Sequence, residues 1–177
     1  MSKKTLAAML TLVLTTTWGN AQEQLTEPRT VDTDRGPVVA LPRLDTTGPG
    51  SMVVDDVRFE MSSEGGYRVY RAHQEGHTRT VYEEAGGRPR RYAYDPVNKR
   101  FERVSSTLRV RLADAEQLDE VVAAAGALRG KNYPALGWAL LRLPPEQEPA
   151  TTVRSLQDNP LVVSAEVMLA GPLRVPQ

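Results

Sequence analysis

Apolar and polar positions alternate with period two along the middle of the chain. Val57, Phe59 and Met61 alternate with Asp56, Arg58 and Glu60, which predicts a strand with one apolar and one charged face. Turn chemistry at Ser62-Ser63-Glu64-Gly65-Gly66 leads into a second alternating run, Tyr67 to Arg71. Gln74-Glu75-Gly76 and Gly86-Gly87-Arg88-Pro89 bracket a third, Thr78 to Glu83. Asp95-Pro96-Val97-Asn98 separates two more, over 91–94 and 100–104. Short strands joined by Gly/Pro turns predict an antiparallel β-meander over 51–104. With so few large apolar residues, that sheet has to pack on another layer.

From residue 107 the period switches from two to 3.6 and back. Thr107 to Leu112 alternates as a strand. Asp114 is placed to cap a helix whose apolar stripe is Leu118, Val121, Val122 and Ala125, ended by Gly126 or Gly130. A strand closing at Tyr133, a turn at Pro134-Ala135-Leu136-Gly137 and a strand from Trp138 to Leu143 follow. A second helix spans 146–157 with Val153 and Leu156 inward, stopped by Asn159-Pro160, and Leu161 to Met168 reads as the last strand. The order strand, helix, strand, strand, helix, strand is the split βαβ, ferredoxin-like arrangement. The expected class is therefore α+β: a C-terminal ferredoxin-like βαββαβ domain over 105–177, preceded by the meander.

The N-terminal fifty residues have a different character. Lys3 and Lys4, the apolar run Leu6 to Leu14 and the small-residue stretch Gly19-Asn20-Ala21 have the layout of a secretory signal peptide over 1–21, cut after Ala21. The run is shorter than the ~20 residues a membrane span needs, so no membrane association is expected after cleavage. Residues 22–50 hold Pro28, Pro37, Pro42 and Pro49 and lack a periodic apolar pattern, which predicts a disordered linker. Pro37 and Pro42 bracket the one short apolar run, Val38 to Leu41. A periplasmic or secreted protein is expected.

Composition narrows the chemistry. Among 177 residues, 22 Lys and Arg balance 22 Asp and Glu, which argues against a nucleic-acid partner, since phosphate contacts need a clustered basic excess. Without cysteine there is no disulfide, thiolate metal site or thiol nucleophile. The two histidines, His73 and His77, flank a turn. A metal pair with Glu75 or Glu83 lacks the spacing of a helical ligand motif, and solvated polar residues are the simpler reading. Arg88-Pro89-Arg90-Arg91 reads as a solvated turn beside Glu83 and Glu84. No Gly-x-Ser-x-Gly elbow is present, and no recognisable motif places a histidine for Ser105-Ser106. No catalytic residue, cofactor, metal or small-molecule ligand is expected, because no Gly-rich phosphate loop or convergent polar cluster appears.

Four segments carry a narrower resemblance. They are the strand Leu108-Arg109-Val110-Arg111-Leu112, the alanine-rich helix over 113–127, the segment from Tyr133 to Pro144 and the ending from Leu156 to Glu166. In this order they resemble the N-terminal propeptide of secreted subtilisin-like serine proteases, the inhibitor I9-type domain, over residues 105–177. The resemblance implies an inhibitor or folding chaperone acting in trans on a separately encoded subtilisin-like protease, since no catalytic domain follows in this sequence. It implies docking through the sheet face, with Glu166 meeting helix N-termini of the protease. It also implies a tail, Leu173, Arg174, Val175, Pro176 and Gln177, lying in the active-site cleft, where Pro172 and Pro176 favour an extended path. A non-inhibitory interaction module of the cell envelope is the alternative expectation.

Overall fold

The computed structural model describes residues 26–172. It is an α+β structure of mostly antiparallel sheet. The strands are β1 (Arg29–Val31), β2 (Val38–Ala40), β3 (Gly50–Val54), β4 (Val57–Glu64), β5 (Tyr67–Gln74), β6 (His77–Glu84), β7 (Tyr92–Asp95), β8 (Arg100–Leu112), β9 (Arg129–Tyr133), β10 (Trp138–Arg142) and β11 (Val162–Pro172). Three helices accompany them, α1 (Leu44–Thr47), α2 (Leu118–Ala124) and α3 (Pro149–Gln157). No helix among the described residues is long and apolar enough to cross a membrane.

The strand β8 organises the molecule. Its N-terminal part pairs with β7, its C-terminal part with β10 on the same edge, and β11 runs along its other edge. The seven-stranded sheet therefore has the order β1-β2-β7-β8-β10-β9, with β11 also on β8. The remaining strands form a separate four-stranded sheet, β3-β4-β5-β6. Its hairpins follow turn chemistry: Gly65 and Gly66 both adopt positive φ, the backbone that a tight two-residue hairpin requires.

Two main cores result, one between the sheets and one under the helices. The four-stranded sheet packs Val57, Phe59, Met61 and Tyr70 against Tyr92, Tyr94 and Phe101 of the larger sheet. Three edge-on or tilted ring pairs, Phe59–Tyr94, Tyr94–Phe101 and Tyr70–Tyr92, fill this interface at centroid separations of 5.6, 5.3 and 5.1 Å. The second core gathers Leu108, Val110, Leu141, Ala165 and Val167 from the sheet with Val121 of α2, Ala125 just after it, and Val153 and Leu156 of α3. Both helices thus cover one face of β8, β10 and β11. Asp114 accepts a hydrogen bond from the Glu116 N–H at 3.0 Å, starting a 3-10 turn that runs into α2, and Gly126 at φ 60° follows its end.

Three sequence expectations need correction. Residues 22–50 do not form a disordered linker from residue 26 on: β1, β2 and α1 lie there. Val38, Val39, Ala40 and Leu41 are all buried, Val39 and Ala40 pair with Tyr94 and Ala93, and the Leu41 N–H donates to Tyr92 O at 3.0 Å. Pro37 and Pro42 flank this strand without entering it, so neither removes a ladder bond. The boundary between 104 and 105 falls inside β8, which is one strand because β11 pairs with it from Glu102 to Leu112. The meander over 51–104 is also divided, since β7 and the start of β8 belong to the larger sheet. Its first strand, β3, is an addition created by the tight connection at Asp55 and Asp56, where Asp55 takes φ 53°. The expected signal peptide lies outside the described residues.

Candidate functional site

With α2 and α3 on one side, period two turns the alternate residues of β8, β9, β10 and β11 to the other side. Arg109 stands opposite Glu166 of β11 and Leu140 of β10, and Leu140 stands opposite Lys131 of β9. One pleat along, Ser164 pairs with Arg111, and Trp138 with Tyr133. These side chains are exposed or half-buried, whereas their sequence neighbours Leu108, Val110, Ala139, Leu141 and Ala165 are buried. Part of this face is a shallow depression of about 330 Å³ lined by Arg109, Arg111, Leu136, Gly137, Trp138, Ser164 and Glu166.

Glu166, the expected docking carboxylate, is on this open face but already engaged. Its Oε2 accepts from Arg109 Nε at 2.9 Å and from Arg109 Nη2, the cross-strand partner. The two side chains are 27% and 33% exposed, so the pair is reached from solvent without being fully hydrated. Around it the face is basic. Arg111, Arg129 and Lys131 form no ion pair with any described residue, and the Lys131 ammonium lies 5.0 Å from the centre of the Tyr133 ring, which is itself tilted against Trp138 at 5.2 Å. Arg, Trp and Tyr are the residue types enriched where proteins bind proteins.

The other expected site residues separate. Leu173 to Gln177 lie outside the described residues, and the four residues before them are not a free tail. Leu169 pairs with Val104 and is buried, and Pro172 pairs with Glu102, so β11 carries the chain along β8 that far. His73 Nδ1 is 2.9 Å from Thr78 Oγ1 and Nε2 is 3.4 Å from Glu60. Glu75 pairs with Lys99 at 2.6 Å, and Glu83 lies at the other end of the β5–β6 hairpin. The two histidines and two glutamates therefore do not converge. No group of three His, Cys, Asp or Glu among the described residues is placed to hold a metal ion.

No protein-family model, curated protein or solved structure matches the chain.

Sequence reasoning missed two features that hold the site in place. Arg91, read as part of a solvated turn, is a clamp: it donates to Glu148 Oε2 at 3.0 Å, to Pro145 O at 2.8 Å and to Glu146 O at 2.9 Å. It thereby fixes the loop that starts α3, whose Glu148 side chain caps the Ala150 N–H. Glu83 is buried and accepts from the Arg90 N–H at 2.7 Å. Burial pushes its carboxyl above the ordinary range, opposed by that N–H and by the Arg68 guanidinium 3.5 Å away. No local pattern announces the Arg91 clamp, because its partners lie more than fifty positions along the chain, whereas the Arg90 N–H reaches Glu83 only seven residues away.

Proposed function

We propose that the chain binds a subtilisin-like serine protease as an inhibitor, a folding assistant or both. In this reading it docks through the open face of β8, β9, β10 and β11 and lays Leu173 to Gln177 in the protease cleft. The observation that carries it is the antiparallel order β11-β8-β10-β9 with α2 and α3 in the two crossovers. That order fits a ferredoxin-like βαββαβ unit. Since many activities use that fold, the reading leans on the face it leaves open and on the propeptide-like segments along it. Glu166 projects from that face, and β11 delivers the chain to Pro172, the residue before the tail.

Two separable contacts follow. Sheet docking buries the Arg109–Glu166 pair, and the tail blocks substrate. A chain already biased to an extended path by Pro172 and Pro176 loses less entropy on entering a cleft. The export expectation completes the reading: the mature protein begins at Gln22 and meets its protease in the periplasm or outside the cell.

One observation favours the second reading, a non-inhibitory envelope interaction module. The Glu166 Oε2 already accepts from Arg109, so part of the carboxylate charge is neutralised within the chain and only Oε1 is left for a partner helix. The deciding experiment titrates a subtilisin-like peptidase with the mature chain, with a chain ending at Pro172 and with Glu166→Ala. The truncated chain should bind without inhibiting. Glu166→Ala should weaken docking, because removing one hydrogen-bonded charge at an interface costs about 2–5 kcal/mol. Equal inhibition by all three would refute the mechanism, and no binding by any would leave the envelope module.

A further inference from the structure

Where the four-stranded sheet abuts β8, its edge borders an open groove of about 780 Å³. That volume lies within the range of about 300–1,000 Å³ typical of binding pockets. One wall carries Tyr67 and Tyr82, 44% and 62% exposed, packed edge to face with ring centres 6.2 Å apart. The other walls carry Arg88, Arg103 of β8 and Arg142 of β10, all exposed. None of these three guanidinium groups forms an ion pair with a described residue. Arg142 donates only to Thr107 Oγ1, at 3.3 Å.

The charges already in the groove do not cancel this excess. Glu83 is buried and occupied by Arg68 and the Arg90 N–H, and Arg91 is occupied by Glu148. Arg88, Arg103 and Arg142, with Arg90 beside them, form no ion pair with a described residue and share the groove with Glu84. The molecule as a whole carries no net charge, so this is local complementarity rather than a general attraction for polyanions. Guanidinium groups grip carboxylates as planar forks, and a pair of exposed tyrosine rings offers apolar surface between them. Nucleic-acid binding is built on a longer series of phosphate contacts than three arginines supply.

We propose that this groove takes an extended acidic peptide segment of a protein partner, its carboxylates on Arg88, Arg103 and Arg142 and an apolar side chain on Tyr67 and Tyr82. The site does not rest on the protease reading, because it involves neither Glu166 nor the tail.

The test uses the mature chain and a fluorescein-labelled hexapeptide of alternating glutamate and leucine, followed by anisotropy. The peptide should bind, more weakly as salt rises, and the glutamine–leucine analogue should not. Combining Arg103→Gln with Arg142→Gln should weaken binding about tenfold, the effect of two exposed charge contacts. Arg58→Gln, on the remote strand β4 and paired with Glu60, should leave it unchanged. Amide shifts of the wild-type protein on adding peptide locate the site without any variant and should cluster at Arg88, Arg103 and Arg142. Equal binding of the glutamine peptide, indifference to the double substitution, or shifts elsewhere would overturn the proposal. Tighter binding of a single-stranded DNA oligomer than of the peptide would overturn it in favour of a polyanion site. Glu166→Ala should bind the peptide normally, which separates this outcome from failure of the protease reading.

Discussion

Arg91→Met should unfold the chain at a markedly lower temperature. The side chain makes three charged hydrogen bonds across the molecule, to Glu148 Oε2 and to the carbonyls of Pro145 and Glu146. Arg91 and Glu148 are only 10% and 12% exposed, so their pair is well shielded from water. Methionine keeps much of the stem and removes every donor. The two carbonyls face solvent and regain water, which limits their loss. The Glu148 carboxylate is left half-satisfied by the Ala150 N–H at 3.4 Å. Breaking a buried pair from one side costs about 3–5 kcal/mol, and the solvated carbonyls place this case near 3 kcal/mol. For a chain of this size, each kcal/mol lowers Tm by about 2–4 °C, so a fall of about 6–12 °C is expected. Thermal unfolding of the protein by circular dichroism measures it. A double-mutant cycle with Glu148→Gln should give a coupling of about 1–3 kcal/mol. A Tm within a degree or two of wild type would refute the clamp and leave α3 anchored by its apolar face alone.

Three further outcomes are expected. Gly130→Ala should destabilise the protein by about 1–3 kcal/mol in a denaturant titration, because an added Cβ would lie 2.5 Å from Val122 Cγ2 and 2.9 Å from Leu118 Cδ1 of α2; an unchanged midpoint would mean that the helix shifts freely. Burial raises the Tyr70 phenol to about 12 and raises Tyr92 and Tyr94 as well, while unfolded tyrosine titrates near 10. The folded state therefore holds protons that the unfolded state loses, so stability present below about pH 10 should drain away up to about pH 12, with tyrosinate absorbance and loss of structure rising together; tyrosinate forming first in an intact fold would contradict it. A fragment of residues 105–177 should melt well below the full chain or fail to fold, since it lacks Arg91, β7 and the first five residues of β8, and equal stability would show the unit to be autonomous.

Local periodicity carried most of the regular structure. The alternation of Val57, Phe59 and Met61 predicts β4, and all three are buried. The Asp114 cap and the stripe at Leu118, Val121 and Val122 predict the start and inward face of α2. What local pattern could not carry is pairing. Val38 to Leu41 is too short to announce itself between two prolines, and it becomes a strand only because β7 supplies partners. Ser105-Ser106 interrupts the apolar alternation, which suggests a domain boundary before Ser105, yet pairing of the flanking residues carries β8 through it. The candidate site divides in the same way. Its strand positions at Arg109, Arg111 and Glu166 follow from period two, but the Arg109–Glu166 pair depends on register between strands 57 residues apart.

The shared strand changes what the meander can be for. If residues 51–104 were a separate module on a tether, contacts on its surface would be independent of docking by the C-terminal face. Instead Phe101 of β8 lies in the aromatic core beneath the four-stranded sheet, while Leu108 and Val110 of the same strand lie beneath α2 and α3. A continuous strand transmits position with little play, so the tyrosine wall and the open sheet face present a fixed geometry to anything that touches both. Arg142 marks the meeting point: it lies on β10, the strand that supplies Trp138 and Leu140 to the open face, and it also lines the groove. A partner docked on the sheet therefore has the groove within reach at no further ordering cost to this chain. Two weak contacts held at fixed spacing reinforce each other through effective concentration. Under the protease reading, the meander is then a second handle on the partner.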